Sequence, residues 1–175
     1  MEVEYTFEMC IFGDGGVGKT TLTRRFLTGL FELDTKITMG AAIFVKYLEI
    51  DGKKISVQIW DFGGENQFRF LIPVYAHGSS AGIFMYDITR YSTLGEIEDW
   101  LTFFRDGLTG EEKNIPIMMV GGKSDLIEKR SVSKEDGLEL SQKYDFFDFY
   151  ECSSKTGENI ELIFDRIVRQ MMANV

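Results

Sequence analysis

The chain has 175 residues, of which 44% are hydrophobic and 27% are charged, a composition that excludes a wholly disordered protein. This length predicts a single domain over residues 1–175 with one buried core. The 19 basic and 28 acidic residues give a net charge of −9, which argues against nucleic acid or an anionic membrane surface as the main partner. The two cysteines, Cys10 and Cys152, are too few for a disulfide framework and are expected to be buried structural thiols.

The sequence also argues against an integral membrane segment. No apolar run approaches the roughly 18–20 residues that a transmembrane helix needs. The first residues are acidic, residue 2 is Glu2 rather than glycine, and the closing letters, MMANV, include no cysteine for prenylation. We therefore expect a cytoplasmic protein that reaches a membrane only through a partner or through a tail outside this sequence.

Apolar runs and helical spacing alternate along the chain and predict an α/β fold. The predicted strands are Tyr5–Phe12, Ala42–Ile50, Lys54–Asp61, Ala81–Asp87, Ile117–Gly121 and Phe147–Cys152. Apolar residues recur at helical spacing at Leu22, Phe26 and Leu30, and again at Ile160, Ile163, Phe164, Ile167, Val168 and Met171. Asp51-Gly52 is a hairpin signal, so the second and third strands are expected to be antiparallel. The expected fold is a six-stranded, mostly parallel sheet with one antiparallel strand and helices on both faces.

A glycine-rich segment follows the first predicted strand and fits the pattern G-x-x-x-x-G-K-[ST] over residues 13–20. Its glycines let the backbone curl so that N–H groups converge on phosphate oxygens, and the following helix N-terminus adds partial positive charge. Lys19 would neutralise the outer phosphates, and the Thr20 hydroxyl would coordinate Mg²⁺. The predicted phosphate-binding residues are Gly15, Gly16, Val17, Gly18, Lys19, Thr20 and Thr21.

The third predicted strand ends in Asp61, with Gly64 shortly after it. An aspartate at the carboxyl end of a neighbouring strand can hold Mg²⁺, directly or through water. Gly64 would let a backbone N–H approach the terminal phosphate. Alone, D-x-x-G also fits a plain turn, but after a phosphate loop it favours a magnesium and phosphate site.

A second polar loop follows the fifth predicted strand and contains Lys123 and Asp125. Guanine presents two adjacent donors, N1–H and N2–H₂, that one carboxylate can accept together, whereas adenine presents no such pair. An unpaired buried acceptor costs about 1–3 kcal/mol, so Asp125 would select guanine over adenine. Lys123 would lay its methylene stem against the base. In isolation, K-x-D also fits a solvated loop.

Taken together, these motifs resemble those of the Ras-superfamily small GTPases, closest to the Rab branch. Five segments occur in the family's order over nearly the whole chain, and that order is highly specific. They are GDGGVGKT (13–20), Thr38-Met39-Gly40, WDFGGE (60–65), GKSD (122–125) and ECSSKTGEN (151–159). The resemblance implies a P-loop NTPase fold of the small G-domain type, with GTP or GDP and Mg²⁺ as its ligands.

The resemblance assigns further roles around the phosphates and the metal. Thr38 resembles the switch threonine, whose hydroxyl reaches Mg²⁺ and whose backbone senses the terminal phosphate. Asp61 resembles the family's water-mediated Mg²⁺ contact, so the implied metal site comprises Thr20, Thr38 and Asp61. The implied catalytic set is Lys19, Thr38, Gly64 and Glu65.

The resemblance also implies contacts to the base. Phe31 is similar to the aromatic residue that packs edge-on to guanine. Ser153, Ser154 and Lys155 match the family's loop after the last strand. There the Ser154 N–H would contact the guanine carbonyl oxygen, and Lys155 would pack over the base.

Switch regions around Thr38 and Glu65 are implied to bind effector, exchange and activating proteins, because nucleotide hydrolysis releases them. Ile43, Trp60 and Tyr75 occupy places similar to the Rab aromatic triad that faces effectors, although the first is Ile instead of Phe. The usual Rab effector set is therefore not assumed, and a core position for Ile43 and Trp60 stays open.

Glu65 departs from the family, in which a glutamine orients the attacking water. A carboxylate can accept the water's proton, but it also adds negative charge beside a triphosphate. At about 4 Å and an effective dielectric of about 20, two like unit charges repel by roughly 4 kcal/mol. We expect an ionised Glu65 to turn outward, intrinsic hydrolysis to be slow, and Glu65→Gln to accelerate it. The alternative is that Glu65 is simply a solvated switch residue.

Gly122 departs from the asparagine that opens the family's base motif and tethers it to the phosphate loop. Glycine removes those hydrogen bonds and adds chain entropy. We expect nucleotide affinity to be weaker than typical by about one to two decades.

The basic residues expected in the site are Lys19, Lys123 and Lys155. No arginine occurs in the stretch Phe31–Met39, so fast turnover would need an activating partner. Arg69 is expected on a partner-facing surface, and His77 is expected to be an ordinary loop residue.

The leading interpretation is a GTP/GDP molecular switch that hydrolyses GTP slowly, in regulation similar to that of membrane traffic. The alternative is an interaction module that binds guanine nucleotides but scarcely hydrolyses them, which Glu65 and Gly122 would favour. A third hypothesis, an adenine-nucleotide kinase, is disfavoured by Lys123 and Asp125.

Overall fold

A six-stranded sheet runs through the part of the chain that this computed structural model describes, which comprises residues 2–32, 38 and 40–175. The strands are β1 (Tyr5–Phe12), β2 (Ala41–Ile50), β3 (Lys53–Phe62), β4 (Ala81–Asp87), β5 (Ile117–Gly122) and β6 (Asp148–Glu151). The α-helices are α1 (Lys19–Thr28), α2 (Ile72–Ala76), α3 (Ile97–Asp106), α4 (Lys134–Lys143) and α5 (Ile160–Ala173). Met39, part of one predicted motif, lies outside the described residues.

The strand order is β2-β3-β1-β4-β5-β6, and every neighbouring pair except β2–β3 is parallel. The antiparallel pair turns at Asp51-Gly52, where Asp51 has a positive φ of 52°. The predicted fold class and the hairpin are therefore confirmed. Because the strands from β3 to β6 run in one direction, the loops that follow them meet at one edge of the sheet.

Helices cover both faces of the sheet and bury two apolar layers. On one face α1 and α5 pack together, with the rings of Phe26 and Phe164 stacked at 3.8 Å between centroids. On the other face α3 contributes Trp100 and Phe104, and Phe104 stacks on Phe12 of β1 at 4.8 Å. Because β1 is packed on both faces, the loop that follows it is held by a rigid strand.

The helix predicted through Leu30 ends earlier than expected. α1 stops at Thr28 because Gly29 adopts the left-handed conformation (φ 74°) and its N–H donates to the Arg25 carbonyl at 2.9 Å. Leu22 and Phe26 are buried as predicted, whereas Leu30 lies beyond the helix and is exposed. Leu30 therefore continues the apolar spacing of the helix but does not belong to the core.

Across the described ranges, none of the helices combines the length and the apolar character required to traverse a bilayer.

Candidate functional site

A pocket of about 860 Å³ opens where the loops following β1, β3, β4 and β5 meet. Most of the residues predicted to bind phosphates line it, and Val17 lies fully buried beneath them. The predicted residues in the lining are Gly15, Gly16, Gly18, Lys19, Thr20, Thr21, Thr38, Gly64, Glu65 and Lys123. The topology thus brings together residues that the sequence distributes over more than half its length.

Lys19 lies at the start of α1 and is almost completely buried. Its ammonium donates to the Asp14 backbone carbonyl at 2.7 Å. Burial lowers the pKa of Lys19 to about 8, although the negative charges of Asp61 and Asp14 oppose that shift. A buried cation at a helix N-terminus is a suitable partner for a polyphosphate, whose charge would favour the protonated amine.

Thr20, Thr38 and Asp61 meet at the inner end of the pocket. The hydroxyl oxygens of Thr20 and Thr38 are 2.7 Å apart, and the Thr20 hydroxyl donates to Oδ2 of Asp61. Asp61 is fully buried, and its Oδ1 has no hydrogen-bond partner among the described residues. Burial raises the pKa of its carboxyl, against the Thr20 hydrogen bond and the charge of Lys19.

This donor set fits a hard divalent cation. Mg²⁺ prefers oxygen ligands, and the cluster offers two hydroxyls and a carboxylate with an unpaired oxygen. A cation would also stabilise the charged form of the buried Asp61. The three residues predicted to hold Mg²⁺ are therefore placed together, and the fit is chemical as well as spatial.

Gly64 and Glu65 lie directly against the phosphate loop. A Cβ placed on Gly64 would collide with the backbone nitrogen of Gly15, so this approach accommodates only glycine. A Cβ placed on Gly15 would lie 3.9 Å from Oε1 of Glu65. The Glu65 side chain is exposed, as expected of a solvated switch residue, and its Oε1 lies on the side of the phosphate loop.

The predicted base site forms where β5 and β6 end side by side. Ser153 is fully buried, and its hydroxyl donates to Oδ1 of Asp125 at 2.8 Å. The Ser124 N–H donates to the Cys152 carbonyl at 3.0 Å, which joins the two loops. The carboxylate of Asp125 is thus oriented by its neighbour, and its recognition of a base stays a prediction.

Five of the residues predicted for the base lie outside the lining of the phosphate pocket, namely Phe31, Asp125, Ser153, Ser154 and Lys155. Phe31 and Lys155 are exposed, and Ser154 is half-buried. Their contacts with guanine remain predictions.

Asp87 and Arg90 are site residues that the sequence analysis missed. Asp87 ends β4, and its buried carboxylate pairs with Lys123 at 2.8 Å and with Arg90 at 3.2 Å. Arg90 lines the pocket and donates to the Gly15 carbonyl at 3.0 Å. Burial would raise the pKa of Asp87, but hydrogen bonds from Lys123 and Thr89 hold it below its usual value. The sequence offered one signal for Asp87, namely that an acidic residue ends a predicted strand.

The expectation that Arg69 faces a partner is wrong. Arg69 is buried, its guanidinium lies 4.2 Å from the centre of the Trp100 ring, and it pairs with Glu96. It also lies 4.0 Å from Oδ1 of Asp14 in the phosphate loop. Its aromatic and acidic neighbours on and beside α3 supply enough interaction to draw a charged side chain inward.

The three residues that resemble the effector-facing triad are adjacent. Ile43 is opposite Trp60 in the β2–β3 ladder, and the rings of Trp60 and Tyr75 are 4.4 Å apart. Ile43 is 47% exposed, which excludes a core position for it, and Trp60 is half-buried. His77 is exposed after α2, and both cysteines are buried, as predicted.

Comparison with known proteins agrees with this geometry. Residues 8–173 match the family model described as "Ras family". The chain is 38% identical over 170 residues to "Ras-related protein RGP2" of Oryza sativa subsp. japonica, covering 97% of this chain and 76% of that protein. It is 36% identical over 171 residues to "Ras-related protein Rab-19" of Rattus norvegicus, covering 98% and 77%. It is 35% identical over 170 residues to "Ras-related protein Rab-11A" of Dictyostelium discoideum, covering 97% and 78%.

Proposed function

Because the chain belongs to the Ras family of small GTPases and is Rab-like, we propose that it is a guanine-nucleotide switch that hydrolyses GTP slowly. The observation that carries the proposal is the contact of Thr20, Thr38 and Asp61, which come from three separate segments, through side-chain hydrogen bonds. Such a contact lets one bound metal and phosphate hold two switch segments in place. Partner proteins would then bind the segments around Thr38 and Glu65, in regulation similar to that of membrane traffic.

The proposed reaction is in-line attack of water on the terminal phosphate of GTP. Mg²⁺, when bound at Thr20, Thr38 and Asp61, would offset charge on the outer phosphates. Lys19 and the N–H groups of the phosphate loop would stabilise the transferred charge, and the N–H of Gly64 would contact the terminal phosphate.

Slow hydrolysis follows from Glu65. Its carboxylate faces the phosphate loop at Gly15, where a negative group opposes the negative phosphates. It can accept a proton from water but, when ionised, it cannot donate a hydrogen bond as glutamine does. The proposed enzyme therefore depends on a partner for fast turnover.

Guanine selectivity would come from Asp125, which Ser153 orients. The two guanine donors match one carboxylate, whereas adenine would leave it unpaired at a cost of about 1–3 kcal/mol. We propose that Lys123 packs along the base and that Phe31, Ser154 and Lys155 complete the contact.

A second candidate function is a module that binds guanine nucleotide with little or no hydrolysis. The carboxylate of Glu65 beside the phosphate loop and the missing side chain at Gly122 favour it. Both candidates share the same binding site and differ only in turnover.

One experiment separates them. The nucleotide bound to the purified protein is extracted and identified, the protein is loaded with GTP and Mg²⁺, and GDP is followed by chromatography with and without cell extract. Slow conversion that the extract accelerates supports the switch. Conversion no faster than in buffer, with or without extract, supports the binding module. Absence of GTP and GDP binding, or equal competition by ATP, would contradict the proposal.

A further inference from the structure

One buried carboxylate, that of Asp87, holds two cations at the edge of the pocket. Its side chain is 1% exposed, and its Oδ2 lies 2.8 Å from Nζ of Lys123 and 3.2 Å from Nε of Arg90. Its Oδ1 accepts the N–H of Thr89 at 2.8 Å and the hydroxyl of Thr89 at 2.6 Å. With both oxygens engaged, the carboxylate is held in orientation, and it pairs with two cations whose side chains are partly exposed.

The two cations reach consecutive carbonyl groups of the phosphate loop. Nη2 of Arg90 donates to the Gly15 carbonyl at 3.0 Å, and Nζ of Lys123 donates to the Gly16 carbonyl at 2.9 Å. We call Asp87, Arg90 and Lys123 the Asp87 cluster. Through these two hydrogen bonds, the Asp87 cluster holds the backbone of the phosphate loop from the side of β4 and β5.

These two hydrogen bonds determine the direction in which the N–H groups of the loop point. A peptide unit is planar and trans, so its C=O and N–H point in opposite directions. When Arg90 holds the Gly15 carbonyl, the N–H of Gly16 is turned to the other side, and Lys123 turns the N–H of Val17 in the same way. N–H groups at these positions are the ones expected to bind phosphates.

The phosphate loop needs these hydrogen bonds because Gly122 cannot supply one from a side chain. A Cβ at this position would lie 3.2 Å from the Val17 carbonyl oxygen, so the residue is adjacent to the phosphate loop but offers it no side chain. The family resemblance leads us to expect an asparagine there as a tether. In this chain, a second donor beside Lys123 must come from elsewhere, and Arg90 supplies one.

We propose that Arg90 is a positioning residue for the bound nucleotide: anchored by Asp87, it orients the Gly15–Gly16 peptide and thereby slows nucleotide release. This inference rests on the proposed guanine-nucleotide binding. Arg90 acts through the backbone of the loop, so its effect is the same for GDP and for GTP, because the loop contacts the phosphates that both nucleotides share.

The test compares three variants of the full chain. Arg90→Ala removes the donor, and Arg90→Lys keeps the charge but has a single nitrogen, which cannot form both contacts of the guanidinium. Arg169→Ala is the matched control, because it removes the same charge from α5, where Arg169 pairs with Asp51 in the β2–β3 turn at 2.9 Å. That turn precedes β3 and so lies at the sheet edge opposite the pocket.

The measurement is the release rate of fluorescent GDP and of a fluorescent non-hydrolysable GTP analogue, in the presence of Mg²⁺. Arg90→Ala is expected to release both nucleotides about tenfold faster than the control, with Arg90→Lys between them. Release from Arg90→Ala at the control rate would overturn the proposal. Acceleration for the GTP analogue alone would also overturn it, since it would indicate a direct contact with the terminal phosphate. If the unsubstituted protein binds neither nucleotide, the proposed function itself fails; normal binding with an unaffected Arg90→Ala rejects only the role of Arg90.

Discussion

The indole nitrogen of Trp100 donates a hydrogen bond of 2.8 Å to the Asp14 carboxylate, and it thereby joins α3 to the phosphate loop. The guanidinium of Arg69 lies against the same indole ring, at 4.2 Å from its centre. One aromatic side chain therefore contacts both the phosphate loop and the segment that follows Gly64. This shared contact links the two parts of the site that, in the proposed switch, respond together to a nucleotide.

Trp100→Phe is expected to lower the free energy of unfolding by about 1–3 kcal/mol, because Asp14 loses its neutral donor and Arg69 loses part of its aromatic surface. Urea unfolding at equilibrium measures the change. Trp60→Phe is the control, since Trp60 is half-buried against Tyr75, and it should cost less. Equal losses in the two variants would contradict a special role for the Asp14 contact.

Glu65→Gln is expected to raise the single-turnover rate of GTP hydrolysis by about tenfold, equivalent to about 1.4 kcal/mol of barrier. The substitution removes a negative charge that faces Gly15 and restores a group that can both donate and accept. Rapid quench of preloaded protein gives the rate. Glu111→Gln removes the same charge from an exposed turn before β5 and should change nothing. A Glu65→Gln rate equal to that of the unsubstituted protein would show that this carboxylate does not limit hydrolysis.

Gly122→Asn is expected to slow nucleotide release by about one to two decades, because the amide adds a tether to the phosphate loop. Its Cβ would lie 2.5 Å from Cε of Met85, the end of a flexible side chain that can move aside. Gly122→Ala introduces the same crowding without an amide and is the matched control. Displacement of a fluorescent GDP measures both variants. Equal release rates from Gly122→Asn and Gly122→Ala would show that the amide forms no tether.

Tyr86→Phe is expected to stabilise the protein by up to about 1–2 kcal/mol. The Tyr86 hydroxyl is buried without a hydrogen-bond partner in the described part of the chain, and it lies close beside Gly121 and Gly137. Thermal and urea unfolding give the change. In contrast, Tyr150→Phe should destabilise, because the Tyr150 hydroxyl donates to Asp148 at 3.1 Å. A loss of stability in Tyr86→Phe would mean that this hydroxyl has a partner after all.

Features with a local signal were predictable from the sequence. The phosphate loop, the Asp51-Gly52 turn and the strands are each encoded by neighbouring residues, and their bounds differ from the structure by about a residue. Leu30 shows the limit of periodicity, because a left-handed glycine ended the helix before the apolar spacing did. Local conformational preference decided the boundary, not the hydrophobic pattern.

Contacts between distant residues were not predictable in this way. Arg90 reaches Gly15 across 75 positions, and the position of Arg69 depends on Trp100, which lies 31 positions away in α3. Neither arginine lies in a recognised motif, so each had only its charge as a guide. Charge suggests exposure, which is right for Arg90 and wrong for the buried Arg69. Asp61 and Thr20, in contrast, were predicted to share one cluster because each ends or follows a strand at the same edge, and their side chains are in hydrogen-bond contact.

The position of β1 in the strand order determines which property a destabilising core substitution would change first. β1 is bonded to β3 and β4 along its two sides, and the phosphate loop is its direct continuation. A cavity introduced beneath that strand would loosen the phosphate loop before the whole chain unfolds. Mildly destabilising core substitutions would therefore first increase the release rate of guanine nucleotide. Millimolar GTP would compensate for this effect by mass action.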